Sequence, residues 1–218
     1  MGHLTAGPFY HSIGKIGNTV GRKVKGKNTL SMIPHENHLP ASEATKAVRS
    51  RMKLISSWLG HASEAIKIGF RGHGPRQSAM STAVSVNISR ALTGTYPELS
   101  IDYARIALSS GALSVASNAR MEISGTEEIK IQWSPVLENM VGSLKDVAVV
   151  LLYGEGDYNK YKVLLNFASR EMGQGLVRTS PKWSGCTVHG YLFFAAPQGK
   201  LVSDTVYLGR LVLPESTA

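Results

Sequence analysis

The run from Gly21 to Asn28, Gly-Arg-Lys-Val-Lys-Gly-Lys-Asn, is one residue short of a phosphate-binding loop. Such a loop cradles phosphates with the N–H groups of a glycine-rich backbone, reaches them with a Lys, and holds Mg²⁺ through a Ser or Thr directly after that Lys. Here Asn28 replaces the hydroxyl and Thr29 arrives one place late. No apolar strand precedes Gly21 and no alternation of strands and helices follows, so the run reads as a basic, glycine-rich arm. Ser12 and Lys15 have the Ser-x-x-Lys spacing of acyl-transfer enzymes. That chemistry needs a rigid helix and companion Ser-Asp-Asn and Lys-Thr-Gly elements. Gly14 and Gly17 oppose the helix, and the companions are absent. His35 and His38 could converge on a metal, but no Cys is near and Glu36 is the only close carboxylate, so they read as solvated loop histidines. No Gly-x-Ser-x-Gly elbow, His-Glu-x-x-His helix or obvious carboxylate pair is present. A non-enzymatic protein with no metal and no cofactor is expected.

Charge is the stronger signal. Residues 1–76 carry 12 Lys/Arg against the three acids Glu36, Glu43 and Glu64, and residues 77–218 carry 12 of each sign. The whole formal excess of +9 therefore lies in the first third. Six of the seven histidines lie there too, so this segment gains further charge below about pH 6.5. Arg22, Lys23, Lys25 and Lys27 on the arm and Lys46, Arg49, Arg51 and Lys53 on the following segment form the candidate binding cluster. Its plainest reading is a solvated, solubilising face. Its sharper readings are a polyanion contact, driven by counterion release, and an acidic patch on another protein or subunit. The arm lacks interleaved aromatic platforms, and no helix-turn-helix, RNA-recognition or zinc-finger signature appears, so nucleic-acid binding would be backbone-dominated.

These side chains must be positioned by local structure. Up to about Pro40 the chain spaces Ile13, Ile16, Val20, Val24, Leu30 and Ile33 among glycines, each of which weakens a helix by about 1 kcal/mol relative to Ala. This predicts an arm or loose hairpin. From Ser42 to Phe70 the period changes: Val48, Met52, Ile55, Leu59, Ala62 and Ile66 form the stripe of an amphipathic helix, with Ser42 as N-cap and a break at Gly60. Lys46, Arg49, Lys53 and Lys67 fall on its opposite face. A second helix is predicted over 77–92, with Met80, Val84, Ile88 and Leu92 at four-residue steps and Thr93-Gly94 as its stop. The two helices form a hairpin.

Beyond Pro97 the pattern is β. Ile129, Ile131 and Trp133 alternate with polar residues, and strands are also predicted over 101–108, 112–116, 147–153, 161–166, 175–179, 187–195 and 201–211. Turn signals separate the strands at intervals of about ten residues, the spacing of an immunoglobulin or fibronectin type III sandwich, with Trp133 and Tyr153 in its core. His189 falls inside a predicted strand and reads as structural. The expected architecture is α+β: a basic arm over 1–40, a helical hairpin over 41–97, and an antiparallel immunoglobulin-like β-sandwich over 98–218. Apolar runs are far shorter than the roughly 20 residues of a membrane helix, so no membrane span is expected. No classical export signal is recognisable at the N-terminus. The single Cys186 excludes an intramolecular disulfide and fits a reducing compartment. Cytoplasmic or virion location is expected.

Several motifs resemble a family of roughly 200-residue proteins of unknown function found mainly in Bacteroidetes. They are Gly14-Lys-Ile-Gly17-Asn-Thr-Val-Gly21 with Lys25-Gly26-Lys27 and Ile33-Pro34; Leu92-Thr-Gly94-Thr-Tyr96-Pro97 continuing through Ile101-Asp-Tyr103 to Ser110-Gly-Ala-Leu113; and Asp204-Thr-Val-Tyr207-Leu-Gly209. The first helix departs from that family, opening Ser42-Glu-Ala-Thr45 where a Thr followed by Gln and Arg positions is usual. The resemblance implies this layout and assigns no activity, substrate or site residue. The sequence therefore predicts a structural or interaction protein assembling through its basic arm onto itself or another subunit, as in a virion or other supramolecular component. The alternative is a sequence-tolerant DNA or RNA binder.

Overall fold

The computed structural model describes residues 2–24, 26–34, 40–72, 77–125, 127–155, 160–198 and 201–215. The chain divides into two compact units, Met1–Ser42 and Glu43–Ala218.

The first unit is a four-stranded antiparallel sheet, where an arm or loose hairpin was predicted. Its strands are β1 (Gly2–Leu4), β2 (Gly14–Ile16), β3 (Thr19–Val24) and β4 (Lys27–Met32), in the order β1-β4-β3-β2. The glycines that forbid a helix make the turns: Gly17 and Gly26 adopt φ of 54° and 79°, values a side chain resists, at the β2–β3 and β3–β4 reversals. The near-match to a phosphate loop is thereby resolved as an antiparallel hairpin, with no helix N-terminus to face a phosphate. Lys25 lies outside the described residues.

In the second unit, α1 (Glu43–Gly60), α2 (Ser63–Gly69) and α3 (Ala79–Arg90) come first. The predicted break near Gly60 separates α1 from α2. Ser78 caps α3, its hydroxyl accepting from the Ser81 N–H. The helix ends at Arg90, short of the predicted stop, because Leu92–Thr95 (β5) turns back onto Glu98–Ile101 (β6) as a small hairpin. The strands predicted over 101–108 and 112–116 do not form. Tyr103–Arg105 is a single 3₁₀ turn, and only an isolated bridge joins Leu113 to Ser203.

The remaining strands are β7 (Ser117–Gly125), β8 (Glu128–Ser134), β9 (Val147–Glu155), β10 (Lys160–Leu164), β11 (Gln174–Arg178), β12 (Thr187–Ala195) and β13 (Val206–Val212). Strand β7 was not foreseen, although Ala119, Met121 and Ile123 alternate with the polar Asn118, Arg120, Glu122 and Ser124. The sheets β11-β8-β7 and β10-β9-β12-β13 make a seven-stranded antiparallel sandwich. Between them pack Ile129, Ile131 and Trp133 of β8 with Ala148, Val150 and Leu152 of β9 and Val188, Leu192 and Phe194 of β12.

Strands β9 and β12 are buried on both faces, which is why they read as continuous apolar runs. Their other face, Val149, Leu151, Tyr153, Tyr191 and Phe193, is covered by Ile55, Trp58 and Leu59 of α1, Ala65 and Ile66 of α2, and Ala83 and Val84 of α3. The second unit is thus three layers, helix on sheet on sheet, and the helices complete the core of the four-stranded sheet. Tyr153 belongs to this helix-facing layer, not to the sandwich interior, because side chains alternate along a strand. Gly69 allows the closest approach: a Cβ there would collide with the backbone of Leu108.

Candidate functional site

The register of the N-terminal sheet sorts its side chains. Directly opposed residues of antiparallel strands share a face, as do residues two apart. Pairing of Lys15 with Val20, Arg22 with Thr29, Val24 with Lys27, and His3 with Thr29 puts Lys15, Arg22 and Lys27 on one face together with His3. Pairing of Gly2 with Leu30, Ile16 with Thr19, and Thr19 with Met32 puts Leu4, Ile16, Leu30 and Met32 on the other, with Lys23 at its far end. Lys15, Arg22, Lys23 and Lys27 are all exposed and make no ion pair with any described residue. Met32 is 70% exposed and Ile16 38%. The sheet is therefore two-faced: Lys15, Arg22 and Lys27 share one side with Val20 and Val24, and the other side is mainly apolar, with Asn28 and Lys23 at one end. Lys15 was not in the predicted cluster; the strand register adds it.

Lys46, Arg49, Arg51 and Lys53 lie on α1, in the other unit, and all are exposed. Lys46 pairs with Glu43 one turn back, at 2.7 Å. Arg49, Arg51 and Lys53 pair with no described residue. Buried contacts on α1 come from Ile55, Trp58 and Leu59 only. Val48 and Met52, predicted as the start of the same core stripe, are 65% and 53% exposed.

Ser12 and Lys15 do not share a helix: Ser12 precedes β2 and Lys15 lies within it. His35 and His38 lie outside the described residues, and no cluster of three His, Cys, Asp or Glu side chains occurs among the described ones. Cys186 is buried with a free thiol.

One polar constellation was invisible in the sequence. On the helix-facing side of β9 and β12, His189 Nδ1 lies 2.8 Å from the Tyr207 hydroxyl and its Nε2 3.7 Å from a Glu155 carboxylate oxygen. The Tyr103 and Tyr153 hydroxyls are 3.3 Å apart, Tyr191 donates to the Tyr103 carbonyl at 2.9 Å, and Trp58 packs edge-on to Tyr153 with ring centroids 5.5 Å apart. Burial raises the pKa of Tyr103, Tyr153, Tyr191 and Tyr207, and pushes Tyr161 up to about 12. Burial also lowers that of His189, against the pull of Glu155. At neutral pH these groups are uncharged hydrogen-bonding partners, which suits a structural network. These residues are scattered from position 58 to 207, and they meet through the tertiary fold, which sets His189 beside Tyr153 across β12 and β9.

No helix among the described residues is long and apolar enough to cross a membrane. No curated protein matches the chain. Among solved structures, it is similar to the third fibronectin III domain of human KIAA0343 protein, with 12% identity and a TM-score of 0.40 over 50% of this chain and 87% of that one. It is also similar to the fn3 domain of human contactin 1, with 11% identity and a TM-score of 0.35 over 58% of this chain and 95% of that one. The family of unknown function DUF6266 matches residues 11–209, and the chain belongs to that family.

Proposed function

We propose that this is a non-enzymatic structural or interaction protein that assembles through its N-terminal sheet, with the three-layer unit as a rigid body. The observation that carries this reading is the two-faced sheet. Four strands of three to six residues expose Ile16 and Met32 on one side, and such a thin sheet buries little of its own apolar surface. A second copy or another subunit seated on that face supplies the missing layer. The cationic face, Lys15, Arg22 and Lys27, favours the second reading, a sequence-tolerant contact with nucleic acid.

The two readings separate by one comparison, the sedimentation mass and duplex-DNA affinity of three proteins. Under the assembly reading, Ile16→Asp with Met32→Asp shifts the wild-type oligomer to monomer, and Lys15→Gln with Arg22→Gln and Lys27→Gln leaves the oligomer intact. A wild-type chain that stays monomeric at every concentration removes the assembly reading. Under the polyanion reading, the triple Gln variant lowers the slope of log affinity against log salt by about three, one per lost phosphate contact.

A further inference from the structure

We propose that the groove between α1 and α3 docks an acidic, amphipathic helical segment of a protein partner. The groove has a volume of about 350 Å³ and is lined by Met52 and Ser56 of α1 and by Met80, Ser81, Val84 and Ile88 along α3. Val48 and Met52, which continue the stripe that buries Ile55 and Leu59, emerge into solvent beside it. Ser56 turns its hydroxyl onto the Met52 carbonyl, and Ser78 and Ser81 bond each other, so three of the four lining serines spend their polarity on their own helices, and Ser85 adds one polar point to a floor otherwise made by Met52, Met80, Val84 and Ile88. Methionine at both walls lets such a floor adapt to an incoming ridge.

Charge specifies the occupant. On α1, Arg49 and Lys53 lie about 60° and 100° round the helix from Met52, beyond Ser56 and away from buried Ile55. They rim the groove and pair with no described residue. The only acid on α1, Glu43, is held by Lys46, and α3 contains no acid at all. An apolar ridge with carboxylates along its flank satisfies both features, the helix-in-groove mode of peptide recognition. The chain's own N-terminal sheet carries the same sign of charge as this rim. The proposal is independent of the assembly reading, because it uses none of residues 1–42.

The test uses the full chain with ¹³C-methyl methionine. The probe is a helical peptide of about 16 residues with Leu at i, i+3, i+4 and i+7 and Glu beside them, paired with a twin bearing Lys for Glu. The Glu peptide is expected to move the Met52 and Met80 methyls saturably while the exposed Met140 and Met172 stay fixed, with affinity falling as salt rises. Met52→Glu, at a solvent-exposed position, is expected to weaken it by about tenfold or more. Arg49→Gln with Lys53→Gln is expected to weaken it only at low salt. Unmoved Met52 and Met80 methyls, equal binding of the Lys twin, an unaffected Met52→Glu variant, or a DNA duplex moving the same methyls instead each overturns the proposal.

Discussion

Among the described residues, Arg170 is the largest side chain sealed from solvent, 0% exposed and stacked on Phe194 of the sandwich core. Its guanidinium stacks on Phe194, 3.7 Å from the ring centroid, donates to the Ser114 carbonyl at 2.6 Å, and lies 3.6 Å from the Asp146 carboxylate. Its own carbonyl accepts from the Trp133 indole at 2.9 Å. Taking one ion from such a pair strands the other in a low-dielectric core. Arg170→Met should therefore cost about 3–5 kcal/mol in urea unfolding, and Arg170→Met with Asp146→Leu should recover part of it. A double variant no better than the single would mean that the carbonyl contacts, not the charge pair, carry the effect. His189 sets a different dependence. Burial, with help from Arg210, lowers its pKa, whereas Glu155 raises it and the neighbours Tyr103, Tyr153 and Tyr207 stay neutral. Between that lowered value and the unfolded value of about 6.5, the unfolded chain binds more protons, so stability is complete above about pH 6.5 and falls as the pH drops below it. His189→Gln should flatten the decline between pH 7 and pH 5, as read by thermal unfolding at each pH.

At the scale of elements, α3 is tied to the chain that follows it by one buried side chain. Asn87 donates to the carbonyls of Ala83 and Ala107, at 2.8 and 2.7 Å, and accepts from the Ala107 N–H at 2.8 Å. These bonds hold the segment after the β5–β6 hairpin against the helix, where Ile106 and Leu108 enter the core. Asn87→Ala leaves the Ala107 N–H and C=O unpaired in the interior, each worth about 1–3 kcal/mol. A loss of 2 kcal/mol or more, about the sum of the lower bounds, is the expected chemical-denaturation result. Nothing in the sequence marked Asn87: it reads as one polar residue in a helical stripe. The stripe itself was legible, and so was the break near Gly60. The exposure of Val48 and Met52 was not, because periodicity says which residues share a face and leaves open how far along the helix the opposing layer extends.

At the scale of the molecule, the charge asymmetry of the sequence is distributed over two structures. Arg22, Lys23 and Lys27, joined by Lys15, lie in a thin two-faced sheet, and Lys46, Arg49, Arg51 and Lys53 lie along one helix of the three-layer unit, whose residues 43–218 carry 19 Lys/Arg against 14 Asp/Glu. The salt and mass comparison above belongs to this scale, since assembly and polyanion binding each use a whole face and no single residue decides between them. The apolar runs at 147–153 and 187–195 and the alternation at 129–133 determined the sandwich by themselves, because burial patterns and turn signals are local properties of the chain. The sequence by itself also determined the sign and location of the charge and the two helical stripes. Only the tertiary structure decided that β9 and β12 bear the helices on their outer face, that Tyr153 and His189 meet there, and that Lys15, Arg22 and Lys27 stand together opposite Ile16 and Met32. Each of these depends on strand register and layer order, which are settled by contacts between residues far apart in the chain.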